Sequence, residues 1–183
     1  DMRSQVRLGF ETEDAARAAR GALEALGDDE EAHFVLAEFA SQQGDPEDAI
    51  QHLRMAIRID PSWTKAHNNL GIQLMKAGRP EEALAAYDEV VLIDPDHAAV
   101  YFNRANCLRS LGRLSDAVAD YRVVLSREPE DADSLFNMAM IYDEMGEKEA
   151  ALENLERLLL VDPDDEEAAE IADRLTRSER SST

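Results

Sequence analysis

The sequence predicts an all-α array of antiparallel helix pairs, and three observations carry that expectation. Pro61, Pro95, Pro129 and Pro163 stand 34 residues apart, each preceded by an acid: Asp60, Asp94, Glu128 and Asp162. Gly44, Gly78, Gly112 and Gly146 keep the same step, as do Ala49, Ala83, Ala117 and Ala151. Apolar residues recur between them at three- and four-residue intervals, first Ala66, Leu70, Leu74 and Ala77, then Ala83, Ala86, Tyr87, Val90 and Val91. That is the period of an amphipathic helix. A fixed step of this length, built from such segments, marks a chain of stacked helical hairpins.

Each element follows in order. Residues 1–11 show only the alternation of Val6, Leu8 and Phe10 and are expected to form an extended or frayed N-terminal extension. Thr12-Glu13-Asp14-Ala15 echoes Pro46-Glu47-Asp48-Ala49, so 12–29 reads as one helix of an incomplete unit, a half-repeat that caps the next. Four complete units follow at 30–63, 64–97, 98–131 and 132–165. In the second of these, Gly78 sits where the first helix must end in a left-handed turn. Pro80 falls in the first turn of the next helix, where its missing N–H costs nothing. The turn is too short for anything but an antiparallel pair, and Asp94-Pro95 stops the second helix. One hairpin cannot bury its own apolar face, whereas stacked hairpins share a core. Residues 166–177 set Ala168, Ala169, Ile171, Ala172 and Leu175 against charge, the pattern of a polar-backed capping helix, and 178–183 read as a disordered tail.

Several columns agree when each proline is placed at the thirty-second position of its unit. Position 8 reads Ala37, Gly71, Ala105 and Ala139; position 20 reads Ala49, Ala83, Ala117 and Ala151; position 24 reads Leu53, Tyr87, Tyr121 and Leu155. Small residues at 8 and 20 let two helices approach closely, and the larger side chains at 24 fill the gap toward the next unit. On these columns the chain resembles the tetratricopeptide repeat family. The resemblance implies a right-handed superhelical solenoid of antiparallel helix pairs. Two columns depart from the family. Position 4 holds His33, His67, Tyr101 and Leu135 in place of Trp, and at position 7 Arg104 interrupts Leu36, Leu70 and Met138. A buried guanidinium is costly unless paired. Asp120, on the facing helix of the same unit, is the expected partner.

Forty acids against nineteen bases give a net charge of −21, and the only lysines are Lys65, Lys76 and Lys148. No basic stripe with interleaved aromatics offsets that charge, which argues against a nucleic-acid partner. The acidity fits either a basic partner, steered by the field, or a high-salt environment. No apolar run reaches the ~18 residues a membrane span needs. A cytoplasmic location is the expectation, a periplasmic one the alternative if a leader has been removed. The single cysteine, Cys107, excludes an internal disulfide framework. Catalytic chemistry finds no support: there is no HExxH, CxxC or glycine-rich phosphate loop, and His33, His52, His67 and His97 lack metal-ligand spacing. Asp162-Pro163-Asp164-Asp165-Glu166 lacks the glycine and the twelfth-position glutamate of a calcium loop. No metal site, cofactor or enzymatic activity is expected.

Function must then lie in surface shape. The resemblance implies that the first helices line a concave groove, with positions 2, 5, 6, 9, 12 and 13 facing it. Position 6 reads Val35, Asn69, Asn103 and Asn137. The three asparagines form a ladder of carboxamides, each offering a donor and an acceptor to the backbone of an extended peptide. Around them the implied groove carries Lys65, Asn68, Ile72, Met75 and Lys76 from the second unit, Phe102, Asn106 and Arg109 from the third, and Phe136 and Met140 from the fourth. Glu31, Glu38, Asp133, Asp143 and Glu144 make its ends acidic. A protein segment with an apolar or acidic centre and basic flanks fits best. Phe34 and Glu38 stand where chaperone-binding members carry clamp residues, so chaperone tails are not the expected ligand. The expected molecule is a non-catalytic adaptor, monomeric or weakly homo-oligomeric. The alternatives are a docking or regulatory domain of a larger enzyme, such as a glycosyltransferase, and a self-assembling scaffold.

Overall fold

The computed structural model describes the backbone of residues 2–180 and the side chains of residues 12–25 and 27–177, and every regular element described is an α-helix. The chain divides into two compact units, the first ending at His97 and the second beginning at Ala98. The first contains α1 (Met2–Leu26), α2 (Glu30–Gln42), α3 (Pro46–Ile59), α4 (Thr64–Lys76) and α5 (Pro80–Ile93). The second contains α6 (Ala98–Ser110), α7 (Leu114–Arg127), α8 (Ala132–Met145), α9 (Lys148–Val161) and α10 (Glu166–Arg180). Four hairpins result: α2–α3, α4–α5, α6–α7 and α8–α9.

The repeated glycines make each hairpin turn. Gly44, Gly78, Gly112 and Gly146 all adopt φ between 72° and 78°, a left-handed conformation that costs a side-chain-bearing residue free energy. The residue after each glycine donates its N–H five residues back, as in Arg79 to the Leu74 carbonyl at 2.9 Å and Glu147 to the Tyr142 carbonyl at 2.8 Å. These bonds satisfy carbonyls that a helix end leaves open. Four helix starts are satisfied by side chains. The carboxylates of Asp29, Asp45, Asp131 and Asp165 accept from the N–H three residues on, at 2.7 to 3.0 Å. Acids in these first turns also complement the helix dipole.

Packing follows the columns read from the sequence. Ala49, Ala83, Ala117 and Ala151 are fully buried, and Leu53, Tyr87, Tyr121 and Leu155 are buried to within 1%. Gly71 shows how tight the approach is: a Cβ added there would stand 2.6 Å from Cζ of Tyr87. The position-4 residues His33, His67, Tyr101 and Leu135 are all core. His67 satisfies its ring by donating from Nε2 to the Pro61 carbonyl at 2.9 Å, which ties the helix to the turn before it. Cys107 is fully buried as well.

Both ends differ from the sequence expectation. Residues 2–11, expected extended or frayed, are helical backbone continuous with the rest of α1. The echo of Ala15 with Ala49 is also displaced by one residue: Ala15 is exposed, and α1 packs on α2 through Ala16 and Ala19, with Ala22 and Leu23 beside them. Among the described residues no partner helix precedes α1 to fix its rotation, so its own apolar stripe sets the face it buries. At the other end α10 runs to Arg180, three residues beyond the expected boundary. Its inner stripe is Ala168, Ile171, Ala172 and Leu175, while Ala169 faces out. Of the tail expected to be disordered, 178–180 are helical, and 181–183 lie outside the described residues.

Candidate functional site

In the first unit α2 and α4 stand as first helices of successive hairpins with α3 behind them. They leave an open cleft of about 320 Å³, walled by Ala37, Glu38 and Ser41 of α2 and by Asn69 and Gln73 of α4, with Leu53 of α3 at its floor. Asn69 is half-buried there, as befits a side chain lining a cleft. Lys65 and Lys76 cross toward α2 at either end of the helix. The Lys65 ammonium lies 3.8 Å from the Glu38 carboxylate and 4.5 Å above the Phe34 ring, and Lys76 donates to Ser41 Oγ at 3.3 Å. Phe34 stacks in turn on Trp63, with ring centroids 4.8 Å apart. Asn68, Ile72 and Met75 are half-buried on α4.

Gln73 is the residue that sequence reasoning missed. It stands one turn beyond Asn69, is only 6% exposed, and its buried Oε1 has no hydrogen-bond partner. A buried acceptor left open costs free energy that an incoming donor can recover. Position 10 of the four units reads Phe39, Gln73, Cys107 and Ile141, and a glutamine in that apolar column was the available signal.

In the second unit the ladder side chains are already engaged with neighbours. Arg109 of α6 donates from Nη1 to Asn137 Oδ1 of α8 at 3.4 Å, and its Nε lies 4.0 Å from Glu144. Arg109 and Asn137 are thus brought together across adjacent first helices. Asn103 and Phe102 line a separate cleft of about 340 Å³ that reaches Val124, Glu128 and Asp131. Phe102 meets Tyr121 edge-on at 5.7 Å. The Tyr121 hydroxyl donates to Asn106 Oδ1 at 2.6 Å, so that carboxamide oxygen is held inside the hairpin. Burial pushes the Tyr121 phenol far above its ordinary pKa, and it stays a neutral donor. Phe136 and Met140 are half-buried on α8.

Two polar pairs lie behind these faces. Arg104 forms a bidentate ion pair with Asp120, Nε to Oδ2 at 2.7 Å and Nη2 to Oδ1 at 2.8 Å, with side-chain exposures of 18% and 8%. This is the pairing expected from the sequence. In the first hairpin His33 and His52 bring their Nδ1 atoms to 2.9 Å, with Asp28 3.7 Å from His33 Nε2 and Asp48 4.0 Å from His52 Nε2. Burial pushes the His52 imidazole below its ordinary pKa; Asp48 opposes that shift, and His33 and Arg20 add to it. His52 and Asp120 share position 23, so the facing that pairs Arg104 with Asp120 also applies one turn earlier on the first helix. No group of three or more His, Cys, Asp or Glu among the described residues is placed to hold a metal ion. No helix described is long and apolar enough to cross a membrane.

Comparison with known proteins gives a consistent answer. A family model described as tetratricopeptide repeat matches residues 3–62 and 68–134, and a second of the same description matches 108–175. No curated protein matches the chain. Among solved structures, MamA superposes with a TM-score of 0.80 at 20% identity, covering 89% of this chain and 95% of that one. YrrB, described as a TPR protein with an unusual peptide-binding site, gives 0.81 at 23% identity, covering 92% and 87%. MamA from Desulfovibrio magneticus RS-1, residues 41 to the end, gives 0.72 at 21% identity, covering 86% and 98%. At these identities the likeness is one of fold.

Proposed function

The chain belongs to the tetratricopeptide repeat family, and from that premise we propose that it is a non-catalytic adaptor holding an extended protein segment on its first-helix faces. The observation that carries this reading is the cleft between α2 and α4, where Asn69 is half-buried yet faces open space. Asn103 and Asn137 occupy the same repeat position on α6 and α8. A carboxamide can bond both a peptide N–H and a peptide carbonyl, so it suits backbone recognition with little sequence demand. The description of YrrB as having a peptide-binding site supports a ligand of the same class. Lys65 and Lys76 flank the Asn69 cleft with Glu38 in its wall, and Arg109 meets Asn137 with Glu144 beside it, a mixture of charges that suits a segment with an apolar or acidic centre and basic flanks.

The test is selection of displayed random peptides on the wild-type chain, followed by affinity measurement on a variant with Asn69, Asn103 and Asn137 all changed to Ala. The expected loss is about tenfold or more, since each net hydrogen bond is worth ~1 kcal/mol. Unchanged affinities would remove the ladder from the binding site.

One observation favours self-association as a second reading. Leu92 and Leu160 hold the same repeat position on α5 and α9 and are 76% and 83% exposed. Sedimentation across a concentration series, with both leucines changed to Gln in parallel, separates the two readings. Association that weakens in the variant would support self-assembly, and a constant monomeric mass would exclude it.

A further inference from the structure

We propose that the cleft between α2 and α4 is an anchor site for a guanidinium group, the side chain of an arginine in one flank of the bound segment. The site rests on the groove reading in one respect: the arginine belongs to the segment lying on that face. The chemistry of the walls points to this ligand. Glu38 supplies a carboxylate, Asn69 a carboxamide oxygen and Ser41 a hydroxyl that Lys76 holds at 3.3 Å, and Gln73 supplies a buried carbonyl oxygen that has no donor. Ala37 and Leu53 complete the surface with apolar contact. The cleft therefore presents acceptors in several directions around an apolar floor.

Those features select among cations. A guanidinium carries five N–H donors in a planar fork and is more weakly hydrated than an ammonium, so it can bond spread acceptors while its faces and stem lie on hydrocarbon. A lysine ammonium is a strongly hydrated point charge that would satisfy Glu38 and leave Gln73 open. The volume of about 320 Å³ accommodates one such side chain. The competing occupant is internal: Lys65 reaches Glu38 at 3.8 Å, but with 62% and 47% of the two side chains exposed that pair is weak. An arriving arginine displaces it. The net charge of −21 draws a basic flank toward the face.

The experiment follows the side-chain amide signals of Gln73 and Asn69 in the isotope-labelled full chain during titration with N-acetyl-arginine methylamide, and in parallel with the lysine analogue. The expected result is a saturating shift of both signals with the arginine probe, about tenfold weaker with the lysine probe. Glu38→Gln, an exposed substitution that the fold tolerates, weakens the arginine probe by about tenfold, and Lys65→Ala strengthens it by removing the competitor. Equal responses to both probes, no saturating shift, or undiminished binding in Glu38→Gln would overturn the proposal. Peptides selected on the wild type separate this inference from the groove reading. Peptides that depend on the asparagines but show no arginine enrichment sink the anchor and leave the groove. A saturating arginine response, with peptides indifferent to Asn103→Ala and Asn137→Ala, keeps the cleft and sinks the groove.

Discussion

Arg104 would be an error in an apolar column without Asp120, and the two meet in a fork geometry that lone charges in a core cannot do without. Asp120→Ala is expected to cost about 2 kcal/mol or more in urea unfolding, because it strands a largely buried guanidinium. Changing both residues to apolar ones of similar size should recover most of that loss; a near-zero cost for the single change would mean that Arg104 reaches solvent along its stem. The pair was legible from the sequence because one residue broke a column and one residue faced it. His33 and His52 broke no such rule. Position 4 already varies along the chain, so the contact became visible only when the helices were placed side by side. His52 also gives the fold a pH dependence. Its pKa is lowered in the folded state, mainly by burial, so the unfolded chain binds more protons as the pH falls. Stability from this group is full above the unfolded value and declines as the pH drops through it toward the folded one. Between pH 8 and pH 5.5 the wild type should lose more stability than His52→Gln, and equal losses would contradict the assignment.

Individual helices respond to substitution according to how closely they approach their neighbours. Gly71 lies against the Tyr87 ring, which is 1% exposed. Gly71→Ala gains up to ~1 kcal/mol of helix propensity and loses ~1–3 kcal/mol to overpacking. A net loss, read by thermal melting, is the expected outcome, and a gain would show that Tyr87 can shift. Gly21 gives the opposite case: an added Cβ on α1 would meet nothing within 4 Å. Gly21→Ala should therefore stabilise the chain by roughly 0.5–1 kcal/mol. The complete hairpins were legible to within a residue or two because glycine, proline and alanine each had a fixed place in the period. Rotation of α1 was not, because an alanine-rich helix offers two neighbouring stripes, and only contact with Ala32 and Leu36 of α2 selects Ala16 and Ala19. Gln73 escaped notice for a related reason. It breaks an apolar column, but whether its carboxamide finds a partner depends on how the helices pack, which the period does not encode.

The whole molecule carries forty acids against nineteen bases, and many sit on solvated helix faces where like charges repel. Salt screens such repulsion over about 10 Å at 0.1 M and about 3 Å at 1 M. The melting midpoint should therefore rise between low and molar KCl, and a flat or falling midpoint would remove a high-salt environment as the reason for the acidity. The proposed groove implies that first helices bind and second helices support them. Amide hydrogen exchange of the full chain, with and without a selected peptide, reads that claim directly. Added protection on α2, α4, α6 and α8 is the predicted result; protection confined to α3, α5, α7 and α9 would contradict it.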